Sequence, residues 1–380
     1  MPAENVAEQS EQQQTVDETI DNPEVIKKYK LGAEIVNEAI KHIQSLLKPG
    51  AKVIELCAAG DAFMDDKIKH AFKKSKGLKK GIAFPTCINV NETVCHFSPL
   101  ENTPEANLTL NEGDVLRVDL GVQIDGYISL GAQTYVLTSN VVTGREADCL
   151  AAVQQGMEVA QRMMKPGKTN IELMKALQKV AETFGVKWAN GVLSHEMKRD
   201  VIDGKNVILP HFDVDQTVEE FKFEANQVYC LDLVATTGEE GKLREGTARA
   251  TIYKREPSVL VDLKVHASRK IYEEIKEKFG AVPFSVKHLD PKMGRMGVLE
   301  LLNYRMIDPY PVLCAKKGEF VAQLKSTVLI TKKQVQKVTG LPLQAFQSDK
   351  SIQDENLLAT IKSGLKVVAQ KEENKMDETE

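Results

Sequence analysis

No apolar run in this chain approaches the roughly 20 residues that a membrane-spanning helix needs, so insertion into a membrane is not expected. The N-terminus lacks the basic-then-apolar pattern of a secretory leader, which argues against secretion. There is no Cys-x-x-Cys pair. The six cysteines, Cys57, Cys87, Cys95, Cys149, Cys230 and Cys314, are scattered along the sequence. Their spacing suggests neither structural zinc nor a disulfide framework, and it fits free thiols in a reducing compartment. No stretch rich in Gly, Pro or Ser divides the 380 residues. One body with an insertion is therefore simpler than two linked domains.

At 42% hydrophobic and 27% charged residues, the chain suits a globular protein with a large core. Its charge is unevenly placed. Residues 1–24 hold seven acids and no Lys or Arg, and residues 371–380 hold five acids and two lysines. These ends carry −10 of a net −4, which leaves +6 on the body between them. Such asymmetry points to an anionic partner, with acidic tails moderating non-specific contact. Residues 1–21, which include a Gln run at 12–14, and residues 368–380 are expected to be disordered tails.

Two stretches spell the same thing. Lys48-Pro49-Gly50 is followed by Ile54-Glu55-Leu56, and Lys165-Pro166-Gly167 by Ile171-Glu172-Leu173. Val118-Asp119-Leu120 is echoed by Leu231-Asp232-Leu233, and each copy carries a histidine before its Asp, His96 and His195. Helix, Lys-Pro-Gly, helix, His, strand, Asp occurs twice in the same order, which reads as an internal duplication around a pseudo-twofold axis.

The spacing predicts helices from Pro23 to about Leu47, from Val53 to Lys76, from Arg145 to Met164 and from Asn170 to Phe184. Gly81 to Thr86 reads as a short extended segment. Val115 to Asp119 and Tyr127 to Leu137 form a hairpin through Asp125-Gly126. Gln227 to Ala235 carries Asp232, with Ala248 to Tyr253 as its expected partner. A helical insertion covers about 255–310, Phe320 to Thr331 is a last strand, and Asp354 to Val367 a last helix.

Two histidines and two aspartates on matched strands are what a dinuclear metal hydrolase would use. The phrases Gly81-Ile82-Ala83-Phe84-Pro85-Thr86, Cys95-His96-Phe97-Ser98-Pro99, Val118-Asp119-Leu120-Gly121, Ser194-His195 and Phe320-Val321-Ala322-Gln323 resemble the type 2 methionine aminopeptidases. The match runs from about Pro23 to Val367. It implies an α+β, pita-bread fold of residues 22–367. That family holds two metals with two Asp, one His and two Glu. By that resemblance Asp119 stands at the first Asp and His195 at the metal histidine. Leu130 stands at the second Asp, Asp232 at the first Glu, and Lys325 at the bridging second Glu. His96 matches the substrate-side histidine, and Asp203 replaces a histidine that normally follows His195 by eight residues. Leucine cannot ligate a cation, and an ammonium at a bridging position repels one. The expected reading is a degenerate site with no metal, no cofactor and no peptidase activity, Lys325 acting as counter-charge for the two aspartates.

Longer phrases, among them Leu193-Ser194-His195-Glu196-Met197-Lys198, Thr251-Ile252-Tyr253-Lys254-Arg255 and Gly318-Glu319-Phe320-Val321-Ala322-Gln323, look like the proliferation-associated, receptor-binding-protein family, a non-peptidase branch of that fold. This implies nuclear and cytoplasmic proteins that bind bent DNA and structured RNA and associate with ribosomes. Animal members end in a lysine-rich tail, whereas this chain ends acidic. The densest basic run here is Lys67, Lys69, His70, Lys73, Lys74, Lys76, Lys79 and Lys80. Clustered cations suit phosphates. Only Phe72 interleaves, and helix-turn-helix, zinc-finger and RNP signatures are missing, so backbone and shape recognition is expected rather than base reading. The inserted region, with Lys264, Arg269, Lys270, Lys287, Lys292 and Arg295, ranks second because Glu273, Glu274 and Glu277 share its helix. Two alternatives stand beside this reading: an adaptor that holds peptides in the old cleft around His96, and an active metallopeptidase.

Overall fold

The computed structural model describes residues 17–73, 77–212 and 216–367. Asn22 caps the first helix, α1 (Pro23–Leu46), by accepting from the Glu24 N–H, and Pro23 fills the first position, where a missing N–H costs nothing. Lys48-Pro49-Gly50 then turns the chain into α2 (Val53–His70). That helix stops six residues short of the expected Lys76. Ala71 is extended and Phe72 adopts a positive φ of 46°, with no Gly or Pro in the sequence to mark the stop.

Strands β1 (Lys80–Val90), β2 (Thr93–Cys95), β3 (Val115–Ile124) and β4 (Tyr127–Val136) follow. The β3–β4 turn places Asp125 and Gly126 at φ 57° and 80°, the positive values a two-residue hairpin requires. β1 is eleven residues long rather than a short segment. It lies at the sheet edge, and its register against β3 shifts on either side of Phe84, which is where an edge strand can accept Pro85. Next come α3 (Gly144–Met163), α4 (Asn170–Phe184), β5 (Lys187–Trp188), β6 (Ser194–Met197), β7 (Val207–Ile208) and β8 (Gln227–Thr236). A reciprocal capping box between Thr169 and Glu172 opens α4, and Gly185 in the left-handed region closes it.

The remaining elements are β9 (Arg244–Glu245), β10 (Ile252–Arg255), α5 (His266–Lys278), β11 (Phe284–Ser285), α6 (Gly294–Asn303), β12 (Ile307–Pro309), β13 (Leu313–Cys314), β14 (Val321–Ile330), β15 (Val335–Lys337) and α7 (Glu355–Lys362). The large sheet runs β1-β3-β4-β14-β8-β6-β7, with β15 beside β14 and β5 beside β8. α1 lies across β3 and β4, and α2 against β1. α3 lies across β8 and β14. The two halves of the sequence thus become two units of helices on an antiparallel strand pair, β3–β4 and β8–β14, joined where β4 pairs with β14.

One expected pairing is corrected. The partner of β8 is β14, matched along all ten residues, and not the 248–253 segment. β10 instead forms a separate sheet with β11 and β12. It belongs with α5 and α6, whose apolar faces share a core of Ile271, Ile275, Phe284, Val298 and Leu301. The expected disorder also reaches too far. Ile20 is buried, Tyr127 Oη donates to the Glu18 carbonyl at 3.1 Å, and Arg199 pairs with Glu18 at 2.5 Å. Residues 1–16 and 368–380, the rest of the expected tails, lie outside the described residues, as do Lys74 and Lys76.

Candidate functional site

Register builds the site. Asp119 on β3 faces Ala132 on β4, Ala132 faces Lys325 on β14, and Lys325 faces Asp232 on β8. Residues directly opposite in a sheet project to the same side. One row across four strands therefore reads Asp, Ala, Lys, Asp, with the helices covering the other face. Leu130 and Gln323 lie two residues along from Ala132 and Lys325 and share that face, and Cys230, two before Asp232, faces His195 on β6.

Lys325 Nζ reaches both carboxylates, at 2.5 Å from Asp119 Oδ2 and 3.2 Å from Asp232 Oδ2, and it lies 5.5 Å above the Phe84 ring. Burial alone would depress this ammonium. Asp119 and Asp232 outweigh it and hold Lys325 charged, well above the usual lysine range. Asp119 is fully buried, and its burial pushes the carboxyl up to about 6 even with the ammonium against it. Gln323 Nε2 donates to Asp232 Oδ1 at 2.9 Å.

Around this row closes a cavity of about 120 Å³ lined by His96, Leu130, His195, Asp203, Asp232 and Lys325, with Phe84, Cys95, Cys230 and Tyr310. His96 stands at φ 67°, unusual for a residue with a side chain. The Pro311 carbonyl can only accept, so His96 Nδ1–H donates to it at 2.8 Å and Nε2 is left bare. Burial pushes His96 down to about 4, and it also lowers His195, so both rings are neutral at pH 7. The Tyr310 ring meets His96 edge-on at 5.0 Å. Asp203 lies at the rim, half exposed, in an ion pair with Lys254. Leu130 fits because Gly121 faces it across the β3–β4 pair. A Cβ at 121 would lie 2.3 Å from Leu130 Cδ2.

All seven residues singled out in the sequence thus meet at one place, six on the cavity wall and Asp119 beneath Lys325. Sequence reasoning missed Gln323, Phe84 and Tyr310, which complete the shell. The Gln323 signal was available, since it sits at i−2 from Lys325 on a strand. Tyr310 arrives from the insertion, and no local pattern announces it. The donor set does not suit a metal pair. A divalent ion 4 Å from Lys325 Nζ would be repelled by about 8 kcal/mol at an effective dielectric of about 20. Leu130 offers no donor, and among the described residues no group of three His, Cys, Asp or Glu is placed to hold an ion.

The basic run is less unified than its sequence suggests. Lys67 pairs with Glu38 at 2.6 Å and lies over the Phe63 ring, and Lys80 Nζ donates to the Ala71 carbonyl at 2.6 Å. Those two tie α2 and β1 into the body. Of the run's described lysines, Lys69, Lys73 and Lys79 are exposed and pair with no carboxylate among the described residues.

Comparison with known proteins adds to this geometry. The sequence model of Metallopeptidase family M24 matches residues 27–246. The chain is 43% identical over 88% of its length to ERBB-3 BINDING PROTEIN 1 of Solanum tuberosum, covering 86% of that protein. It is 38% identical to the Curved DNA-binding protein of Schizosaccharomyces pombe, with 95% of each chain covered. A solved structure of a thermophilic Arx1 superposes with a TM-score of 0.84 at 28% identity, over 91% of this chain and 99% of that one. A methionine aminopeptidase from Thermotoga maritima superposes at 0.56 and 16% identity, over 84% and 98%, a likeness of fold.

Proposed function

The chain belongs to metallopeptidase family M24, in the group of proliferation-associated and ERBB-3-binding proteins, and from that premise we propose that it is a non-catalytic member that binds nucleic acid. The observation that carries the first half is Lys325, whose ammonium spans Asp119 and Asp232 where a peptidase of this fold keeps its bridging cations. A donor set that repels a hydroxide-generating metal leaves the neutral His96 and His195 without an activated water to direct at a peptide bond. The second half is supported by the relative named for curved DNA and by the exposed Lys69, Lys73 and Lys79. Contact through lysines, without interleaved aromatic residues, reads phosphate position and helix shape rather than base identity. This reading puts the protein to work in nucleus and cytoplasm, on bent DNA or on structured RNA, ribosomal RNA included.

The peptide-adaptor reading is weaker. A cavity of about 120 Å³ is well below the roughly 300 Å³ at which small-ligand pockets begin.

Fluorescence anisotropy against bent duplex, straight duplex and structured RNA, at several salt concentrations, tests the proposal. Wild type is expected to bind with a steep salt dependence. Changing Lys69, Lys73 and Lys79 together to Glu is expected to weaken binding at least tenfold near physiological salt. Absence of binding by wild type at low salt would sink the nucleic-acid reading and return attention to the cavity.

A further inference from the structure

A second cationic surface is assembled by the fold from three segments that the sequence keeps far apart. The end of α3, the approach to β15 and the chain after α7 come together in one strip. Arg162 Nε donates to the Ser363 carbonyl at 3.1 Å, and Lys165 Nζ to the Gly364 carbonyl at 2.6 Å. Gln334 and Lys366 form an antiparallel bridge. The Val367 N–H donates to the Lys333 carbonyl at 2.8 Å, and the Val335 N–H to the Leu365 carbonyl at 2.9 Å. Arg162, Lys165, Lys333, Lys362 and Lys366 are thereby gathered, with Lys333, Lys362 and Lys366 exposed.

Charge accounting sets this strip apart from an ordinary solvated face. Arg162 is matched by Glu158, one turn earlier. Among the described residues no carboxylate pairs with Lys165, Lys333, Lys362 or Lys366, whereas Lys332 next door pairs with Asp21 and Lys168 with Glu172. Four cations with no ion-pair partner among the described residues leave positive charge on this strip for an external polyanion to meet. Lys165 is the member most affected by a neighbouring cation. Its ammonium rests on a neutral carbonyl, and burial together with Arg162 lowers its pKa. Lys165 belongs to the repeated Lys-Pro-Gly turn, whose first-copy counterpart, Lys48, is simply exposed. The short antiparallel joint between 333–335 and 365–367 fixes the spacing of Lys333 and Lys366, so the cations are positioned before any ligand arrives.

We infer that this strip is a second phosphate-backbone contact surface, separate from the α2–β1 lysines, and that a nucleic acid long enough to reach it is held at both. The inference rests on the nucleic-acid reading above. Lysines that contact phosphates release counterions, and each lost contact lowers the slope of log affinity against log salt by about 0.9 on duplex DNA. The triple variant Lys333→Gln, Lys362→Gln, Lys366→Gln leaves the Arg162 and Lys165 bonds to the backbone in place and is expected to melt as wild type does. Its salt slope on a bent duplex of several helical turns is expected to fall by about 2 to 3, with affinity near physiological salt down at least tenfold. A control with the same charge change, Lys41→Gln, Lys316→Gln, Lys317→Gln, is expected to keep the wild-type slope. If wild type binds and the first variant keeps both slope and affinity, the second surface is wrong and the nucleic-acid reading stands. An equal loss in the control would equally overturn it, since net charge and not place would then be at work. If wild type binds nothing, the reading beneath both falls.

Discussion

Replacing Lys325 with methionine is expected to cost about 3–5 kcal/mol of stability, the range found when one partner of a buried ion pair is removed. At about 2 °C per kcal/mol for a chain of this size, the melting temperature falls by roughly 6–10 °C. The reason is the row across the sheet. Asp119 is wholly inaccessible to solvent and Asp232 nearly so, and one ammonium answers both. Without it two carboxylates face each other in a low-dielectric pocket. The pH dependence carries the sign that identifies this cause. Burial already pushes Asp119 up to about 6 with the lysine present, and removing Lys325 takes away the main opposing influence. A carboxyl whose folded pKa lies above its unfolded value binds protons preferentially in the folded state, so stability rises as pH falls through that window. The variant is therefore expected to be more stable at pH 5 than at pH 8. The double variant Asp119→Asn, Lys325→Met should lose less than the single one, because one anion has gone with the cation. A single variant as stable as wild type, or one that only weakens further on acidification, would show that the lysine is a bystander.

The same row shows what a sequence can and cannot deliver. Asp119 and Asp232 were legible as a pair because the duplication puts each in a strand after a helix pair. Lys325 was placed by resemblance and by the phrase Phe320-Val321-Ala322-Gln323 just before it. That Lys325 touches both aspartates, one of them 206 residues earlier, is a matter of register among β3, β4, β14 and β8. Local patterning has no access to that distance. The mistaken partner for β8 has the same origin. The 248–253 segment is the next strand-like stretch in the chain, but the insertion carries it into a sheet of its own, and the true partner comes some 90 residues later. Burial in the structure separates the two strands. β14, with α3 against it, is buried along all ten residues, while β10 is buried only over its first half.

The basic surfaces divide along similar lines. The run from Lys67 to Lys80 stands out on the page, yet folding spends Lys67 on Glu38 and Lys80 on a backbone carbonyl. The strip around Lys333 and Lys366 is invisible in the sequence because its members lie in three segments, and two hydrogen-bonded joints bring them together. Counting lysines in a window measures their density along the chain. Phosphate binding depends on their density in space and on how many are already neutralised.

Restoring the carboxylates that the resemblance to methionine aminopeptidases places at the site is expected to make folding depend on a divalent ion. The variant Leu130→Asp, Asp232→Glu, Lys325→Glu puts four carboxylates with no counter-charge onto one face, all of them on buried positions, 119, 130, 232 and 325. In chelator it should melt far below wild type, since several buried anions must be neutralised or exposed. Manganese or cobalt should then stabilise the fold in proportion to the logarithm of concentration, by about 2.7 kcal/mol at one hundred times the dissociation constant, and raise its melting temperature accordingly. Wild type should show no such response, because Lys325 fills the role electrostatically and repels the ion. Gly121 tolerates the change, as aspartate at 130 reaches less far toward it than leucine does. Bound metal counted by mass spectrometry after gel filtration separates the outcomes. Two equivalents retained by wild type would mean that the lysine yields to the metals and that the peptidase reading has to be reopened. A folded variant that ignores manganese and cobalt would mean that the site has lost more than its ligands, most directly through Asp203, which now faces Lys254 instead of the cavity's centre.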